Sequence, residues 1–369
     1  MKRSARALLV LLAALAAAPA QAKWLSRTND GIMGTRVFVE LWADDTPDAI
    51  AKGQQAIDAV MAQMRHIDDT MSTYKPTSEV SKVNRLAAKG PVVISPQLFD
   101  LLQQSLMYSR ITEGAFDITY ASVGYLYNFH NRSQYRFGML LAPDQRPTAG
   151  QIKAALPAIS YRHILLDAKH HTVRFTRPGV RIDLGGIAKG YSVDQGIDIL
   201  LARGYKNALV NAGGDSRVIG DRRGRPWIVG IQNPRHPDEI VTRFPLMDEA
   251  FSTSGDYERY FIQNGVRYSH IINPRTGDSA RKVLSATVIA PTATRTDGLS
   301  KTAFILGAAE ALKIYNSLPD VEAIIVTPDG RVVYTKGLEP GHLPPPGPPE
   351  AQQGPPASTG PATGRATGP

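Results

Sequence analysis

The chain has 369 residues, a formal net charge of +9 and no cysteine. A chain of this length can bury a sizeable core, in one large domain or in two closely packed ones. The lack of cysteine excludes a disulfide framework and a lipid-modified cysteine. Its basic residues are scattered, which argues against nucleic-acid binding and indicates solubility with some preference for anionic ligands.

The first 22 residues have the pattern of a secretory signal peptide. Three basic residues precede an apolar stretch at 7–18, and the small-residue pattern Ala20-Gln-Ala22 follows it. We expect cleavage after Ala22 and a periplasmic mature protein with no membrane span. An uncleaved anchor is the alternative.

Apolar spacing predicts the elements that follow. Alternation predicts a strand at 32–42, and helical spacing predicts one helix from Pro47 to Met71 and another from Pro96 with Met107 facing inward. From residue 164 onward short strands are predicted, at 164–167, 173–176, 180–184, 208–210, 227–232, 258–262, 284–289 and 323–327. Two helices, at 194–203 and 297–318, interrupt them. This mixture lacks a βαβ rhythm and predicts an α+β fold, with mixed or antiparallel sheets and packed helices.

The segment from Asp183 to Gly190, Asp-Leu-Gly-Gly-Ile-Ala-Lys-Gly, predicts a site for an anionic ligand. The predicted strand at 180–184 carries Asp183 to the paired glycines, which let backbone amides approach a ligand, and a helix begins directly afterwards with Lys189 in its first turn. A phosphate ester is the expected ligand, and a plain connection between strand and helix is the alternative. The glycine spacing matches neither the dinucleotide fingerprint nor the P-loop, so it leaves the cofactor class open.

The last residues, 339–369, are rich in proline and glycine and have hardly any aliphatic side chains. Such a segment cannot bury enough apolar surface to fold, so we expect a disordered tail. The folded core is therefore expected at 23–338.

Eight motifs stand in a fixed order along this core. They are Met33-Gly-Thr35, Met71-Ser-Thr-Tyr74, Gly114-Ala-Phe-Asp-Ile-Thr119, the Asp183–Gly190 segment, Asn211-Ala-Gly-Gly-Asp215, Ser252-Thr-Ser-Gly-Asp-Tyr-Glu-Arg259, Ser269-His-Ile-Ile-Asn-Pro-Arg-Thr-Gly277, and Val288-Ile-Ala-Pro with Asp297-Gly-Leu-Ser300. In this order they resemble the ApbE family of bacterial FAD:protein FMN transferases. The resemblance runs from about residue 31 to residue 335 and implies an ApbE-like, T-fold-like architecture.

The resemblance also implies an activity. Members of the family split FAD at its pyrophosphate, attach the FMN half to a threonine hydroxyl of an exported or membrane-anchored acceptor flavoprotein, and release AMP with the help of Mg²⁺. The expected partner is therefore a respiratory electron-transfer subunit or a related protein that carries the target threonine. Two alternatives use the same site: a periplasmic FAD-binding or storage protein without transferase activity, and an FAD pyrophosphatase that gives FMN and AMP.

Residue by residue, the resemblance places FAD contacts on Met33, Tyr74, Ala115, Phe116, Asp117, Asp183, Lys189 and Ile272. Tyr74 is expected to stack on an aromatic ring of the cofactor, and Lys189 is expected to face the diphosphate. Asp117 and Asp183 are expected to accept hydrogen bonds from hydroxyls or adenine amines.

His270 is the expected general base on the acceptor threonine, because an imidazole titrates near neutral pH and a hydroxyl is a poor nucleophile unaided. Asp256 is expected to orient His270 or to share the base role. The alternatives are a polar strand residue for His270 and a turn residue for Asp256. Arg275 is either a phosphate ligand or an exposed turn residue.

The resemblance places Mg²⁺ between the Asp297 carboxylate and the backbone carbonyl of Gly186. The family usually has a further threonine ligand four residues after this aspartate, and here that position is Lys301. An ammonium has only donors and cannot ligate a metal. Either Ser300 or Thr302 supplies the missing oxygen, or Lys301 replaces part of the metal's charge. The alternative for Asp297 is a helix cap or an acid in a first helical turn.

Overall fold

The computed structural model describes residues 22–127, 129, 135–136, 139–140 and 146–338. The expected tail and the expected signal peptide, apart from Ala22, lie outside these residues. Within them, no helix is long and apolar enough to cross a membrane.

The described residues form seventeen strands. They are β1 Ala22–Ile32, β2 Thr35–Asp44, β3 Val92–Val93, β4 Tyr135–Arg136, β5 Met139–Leu140, β6 Ile164–Asp167, β7 Thr172–Phe175, β8 Ala208–Ala212, β9 Asp215–Ile219, β10 Trp227–Gln232, β11 Ile240–Leu246, β12 Ala250–Gly255, β13 Tyr260–Gln263, β14 Val266–Ser269, β15 Ser285–Ala290, β16 Glu322–Val326 and β17 Val332–Tyr334.

The same residues form nine α-helices. They are α1 Pro47–Met71, α2 Glu79–Leu86, α3 Pro96–Ile111, α4 Ala121–Gly124, α5 Ala149–Ala155, α6 Ala188–Ala202, α7 Ala293–Ser300, α8 Thr302–Leu306 and α9 Ala308–Ser317.

The largest sheet has eight strands in the order β1-β2-β8-β9-β12-β15-β16-β17, and every neighbouring pair is antiparallel. Helix α1 contacts α6, α6 contacts α7, and all three helices pack on this sheet. The hairpin of β10 and β11 packs its apolar side chains against those of β9, β15 and β16. A smaller sheet contains one parallel pair, β5 with β13. The architecture confirms the predicted α+β class with mixed and antiparallel sheets.

The long helix α1 forms where the spacing of apolar residues predicts it. Thr46 accepts a hydrogen bond from the Ala49 amide at 3.2 Å, and Pro47 occupies the first turn, so the helix begins where its unpaired donors can be satisfied. Its apolar side chains recur at helical spacing and are buried in the core, at Ile57, Val60, Met61, Met64 and Ile67.

Several predicted boundaries and one predicted side-chain orientation are wrong. Ile32 ends β1, and the turn to β2 passes through Met33 and Gly34, both with positive φ. Met107, expected to face inward on α3, is exposed. The helix expected at 297–318 begins earlier, at Ala293, and is interrupted after Ser300 and again at Gly307, where φ is +92°.

The strand predicted at 180–184 is not formed. Its apolar residues alternate and are buried as expected, but the segment is extended without a neighbouring strand. Its amides bond to other groups: Ile182 donates to the Asn84 side chain at 2.8 Å and Asp183 donates to the Ile118 carbonyl at 3.0 Å. A side-chain amide and a backbone carbonyl thus satisfy amides that a neighbouring strand would otherwise pair.

Helices α6 and α7 approach closely at Gly190. A Cβ at this position would lie 2.1 Å from the carbonyl oxygen of Ala293 and 2.7 Å from Cβ of Asp297. Because the first of these atoms belongs to the backbone, it cannot rotate away. We expect Gly190→Ala to lower the free energy of unfolding by about 1–3 kcal/mol in urea titrations. Gly90→Ala is the matched control, since no atom lies within 4 Å of its added methyl. Equal effects in the two variants would contradict the close contact.

Candidate functional site

A cavity of about 560 Å³ lies where the loop after α1, the segment at 115–125, the glycine turn and the loop after β14 meet. This volume is within the range of binding sites for cofactors. All eight residues expected to contact FAD line the cavity, and His270 and Gly186 line it as well. The sequence motifs, far apart along the chain, therefore come together at one place.

One part of the cavity wall is apolar and aromatic. Ala115, Phe116 and Ile272 are buried, and Met33 packs between the two main apolar clusters. Tyr74 differs, because 44% of its surface is exposed, and its hydroxyl accepts from Arg259 at 3.4 Å. A half-exposed ring held at its hydroxyl is suited to stacking on an aromatic ligand.

The carboxylate of Asp183 holds the glycine turn in place. It accepts hydrogen bonds from the Thr73 hydroxyl at 2.5 Å, the Tyr120 hydroxyl at 3.0 Å and the Gly185 amide at 2.7 Å. Burial and the charge of Asp183 raise the pKa of Tyr120, so this phenol stays protonated and donates. Sequence reasoning missed Thr73 and Tyr120, although Thr73 lies inside the Met71–Tyr74 motif.

Asp117 lines the cavity, but its carboxylate is bound by the protein itself. It accepts from the amide and the hydroxyl of Thr119 at 2.8 and 2.6 Å and from the Tyr161 amide at 2.7 Å. Burial raises the pKa of Asp117. Its main work is therefore to cap the short 3-10 turn that follows it.

Four charged side chains form a cluster beside the glycine turn, which we call the lysine–aspartate cluster: Lys189, Asp215, Asp297 and Lys301. Lys189 pairs with Asp215 and lies 3.8 Å from the Asp297 carboxylate, while Lys301 pairs with the other oxygen of Asp297. Both carboxylates are buried, whereas both lysines line the cavity. Sequence reasoning missed Asp215 as a site residue. Its signal was its place at the end of the Asn211–Asp215 motif.

The two aspartates of the cluster respond differently to burial. Burial and the neighbouring charge of Asp297 raise the pKa of Asp215. Burial also opposes the charge of Asp297, but Lys189 and Lys301 outweigh it and hold the pKa of Asp297 below its ordinary value. Likewise, burial opposes the charge of Lys189, yet Asp215 and Asp297 raise its pKa. Asp297 is therefore the anion shared by two ammonium groups.

Gly186 and Asp297, the expected metal ligands, do come close to one another, but a lysine stands between them. The Lys301 ammonium donates to the Gly186 carbonyl at 3.2 Å and to the Asp297 backbone carbonyl at 2.9 Å, besides pairing with the Asp297 carboxylate. Two cations would repel each other at such a short range. The residues at this position therefore do not fit Mg²⁺.

The other oxygens considered for the metal do not reach the cavity. Ser300 and Thr302 are completely buried, and neither lines it. The Ser300 hydroxyl bonds to Ser254 at 2.9 Å and to the Asp297 carbonyl at 3.1 Å. Asp297 is not a helix cap either, because α7 begins four residues before it.

His270 lies half-buried in the cavity wall, with Nδ1 at 3.3 Å from the backbone carbonyl of Arg259. A carbonyl can only accept, so we assign the proton to Nδ1 and leave Nε2 as the basic atom. Burial, together with the positive charge of Arg259, lowers the pKa of His270 to about 3. The ring is therefore neutral at physiological pH, with Nε2 unprotonated.

The expected contact between Asp256 and His270 is not formed. Both carboxylate oxygens of Asp256 accept from the Arg235 guanidinium, at 2.8 and 2.7 Å, and Arg267 lies 3.6 Å away. Asp256 is not among the residues of the described chain that line the cavity. The expectation that it orients His270 is thus wrong, since arginine offers it a bidentate partner instead. Arg275 is an exposed turn residue outside the cavity wall.

The fold and the cavity together define an α+β protein whose cavity suits a large anionic ligand with aromatic rings. The model of the ApbE family matches residues 33–325, and the chain belongs to this family.

Known proteins support this assignment. The chain is 34% identical over 279 residues to an FAD:protein FMN transferase of Vibrio cholerae, covering 73% of this chain and 79% of that protein. It is 33% identical to an FAD:protein FMN transferase of Haemophilus influenzae, covering 86% and 91%. Its fold is similar to the crystal structure of the ApbE protein of Thermotoga maritima, with a TM-score of 0.75, 32% identity and coverage of 85% of this chain and 97% of that one.

Proposed function

We propose that this protein is an FAD:protein FMN transferase, which moves the FMN half of FAD onto a threonine hydroxyl of an acceptor protein. The main support is the cavity, which brings together an aromatic wall, cationic side chains and a neutral imidazole. Relatives that match most of the chain carry this name. The acceptor is an exported or membrane-anchored flavoprotein, such as a subunit of a respiratory electron-transfer complex.

The reaction exchanges one ester of a phosphoryl group for another. The threonine oxygen forms a bond to the phosphorus on the FMN side of FAD. The bond from this phosphorus to the bridging oxygen breaks, and AMP leaves with that oxygen. Such a transfer needs an alcohol held in line with the phosphorus and positive charge around the phosphoryl oxygens.

Different residues of the cavity accept the proton and supply the positive charge. Nε2 of His270 accepts the hydroxyl proton as the new bond forms. Lys189, Lys301 and Arg259 all line the cavity and place positive charge at the diphosphate. The bound diphosphate in turn raises the pKa of His270 from its low resting value, because an opposite charge favours the imidazolium. No step of this mechanism is assigned to Mg²⁺, because Lys301 stands between the residues that the resemblance gives to it.

Export belongs to the same proposal. The signal-like pattern at 1–22 would take the protein to the periplasm, the compartment in which exported acceptors present their threonines.

The test is a transfer assay with purified protein, FAD and an acceptor domain that contains the target threonine. We expect flavin fluorescence on the acceptor that survives denaturing electrophoresis, with equimolar AMP in solution. The matched control is the acceptor with this threonine replaced by alanine, which should stay unlabelled. Free FMN with an unlabelled acceptor would identify a pyrophosphatase, and unchanged FAD would identify a storage protein. Either result would reject the transferase.

A further inference from the structure

Lys301 occupies an unusual position in the fold. It lies at the junction of α7 and α8, and its side chain runs back to the glycine turn more than a hundred residues away in sequence. Three oxygens surround its ammonium: the Gly186 carbonyl, the Asp297 carbonyl and one carboxylate oxygen of Asp297. An ammonium has three N–H groups, so the protein satisfies all of them.

The oxygens around the Lys301 ammonium resemble those of a cation-binding site. The ammonium donates to two carbonyl oxygens and one carboxylate oxygen, which are the hard oxygen ligands that a small divalent ion would also prefer. The Asp297 side chain is completely buried, while the Lys301 side chain keeps 17% of its surface exposed toward the cavity that it lines. The Lys301 side chain therefore places a positive charge at the cavity side of the glycine turn, and no separate metal ion is needed to supply that charge.

Within the lysine–aspartate cluster, the charges of the four side chains balance with Lys301 in place. Lys189 and Lys301 contribute two positive charges, and Asp215 and Asp297 contribute two negative ones. Arg259 lines the same cavity, and its charge acts on both Lys189 and His270. A divalent ion added beside Lys301 would meet an existing cation rather than an unpaired carboxylate.

We propose that Lys301 is a tethered cation that takes the place of Mg²⁺ in this chain, so that the cavity binds the diphosphate of FAD without a divalent metal. The proposal rests on the proposed function for the identity of the ligand. It does not depend on transfer taking place, since binding alone can test it.

The first experiment compares FAD affinity in excess EDTA and in millimolar Mg²⁺, using the change in flavin fluorescence on binding. We expect the two dissociation constants to agree within twofold, and calorimetric titration with MnCl₂ to give no saturable heat with or without FAD. A tenfold tighter affinity in Mg²⁺, or saturable binding of Mn²⁺, would overturn the proposal. A protein that binds FAD equally in both buffers but never labels an acceptor would reject the transferase and leave Lys301's role standing.

The second experiment uses Lys301→Thr, which replaces the ammonium with a hydroxyl at the same position. We expect this variant to lose at least tenfold in FAD affinity in EDTA and to recover it in Mg²⁺. We also expect its melting temperature to rise on addition of Mg²⁺, which tests the variant even if its folding is weakened. Lys282→Thr is the matched control, because this lysine is exposed, donates to the Leu306 carbonyl at 3.2 Å and lies outside the cavity wall formed by the described residues. If Lys301→Thr binds FAD in EDTA as tightly as the unaltered protein, the proposal is wrong.

Discussion

Replacing His270 with alanine is expected to slow flavin transfer by about 10²–10⁴-fold, the range typical for loss of a general base. FAD affinity should change only a few-fold, because the imidazole is neutral at rest and contributes no charge to diphosphate binding. Single-turnover labelling of an acceptor, set beside FAD titrations of the same samples, separates the two quantities.

The matched control is His170→Ala. This histidine is exposed, pairs with Asp167 at 2.7 Å and lies outside the cavity wall, so transfer should keep its normal rate. Transfer by His270→Ala within threefold of the unaltered protein would remove His270 from the mechanism. Loss of FAD binding in step with transfer would instead identify a structural role for the ring.

The low pKa of His270 has a consequence for the pH profile of kcat/KM, which reports the free enzyme. Because burial and Arg259 lower this pKa to about 3, the ring already holds its basic form from pH 5 to pH 8. We expect no fall in kcat/KM from His270 protonation as the pH drops from 8 to 5. A fall centred near the ordinary histidine pKa of about 6.5 would contradict a ring that is neutral over this range.

The eight cavity residues expected to contact FAD could be predicted from the sequence because they lie within the motifs that carry the family resemblance. The fold class was predictable for a local reason, since helices such as α1 show their buried face in the spacing of apolar residues. Strand boundaries were harder to predict. The segment 180–184 alternates as a strand would, yet its hydrogen-bond partners are Asn84 and other groups remote in sequence.

The errors at the site also come from contacts between residues that are far apart in sequence. The sequence does not show which partner the fold brings to the Asp256 carboxylate, and in the structure that partner is Arg235 rather than His270. Asp215 was missed because its partner Lys189 is 26 residues away in sequence. The departure at Lys301 was visible in the sequence, whereas its three oxygen partners depend on a turn and a helix meeting in space.

Asp297→Asn is expected to cost about 3–5 kcal/mol of unfolding free energy, because it removes the carboxylate that pairs with Lys301 and leaves this ammonium uncompensated, while Lys189 keeps its pair with Asp215. The carboxylate is completely buried, pairs with Lys301, and accepts from the Gly190 amide at 3.0 Å. Urea titrations at pH 7 measure the loss. FAD should stabilise this variant more than the unaltered protein, since the diphosphate supplies negative charge at the same place.

The pH dependence of stability gives an independent check. Since the lysines hold the pKa of Asp297 below its ordinary value, its contribution is complete above about pH 4, the unfolded value. It is lost as the pH falls through the lower, folded value. The Asn variant should therefore lose less stability than the unaltered protein on acidification below pH 4.

A double variant, Asp297→Asn with Lys301→Met, shows whether the loss comes from the charges. Removing both partners of a buried ion pair is far less costly than removing one, because no uncompensated charge remains between them. We expect the double variant to be more stable than Asp297→Asn alone, with a coupling energy of at least about 1 kcal/mol. If the stability losses of the two single variants simply add, Asp297 and Lys301 do not interact in solution. The tethered cation would then lack the anion that holds it in place.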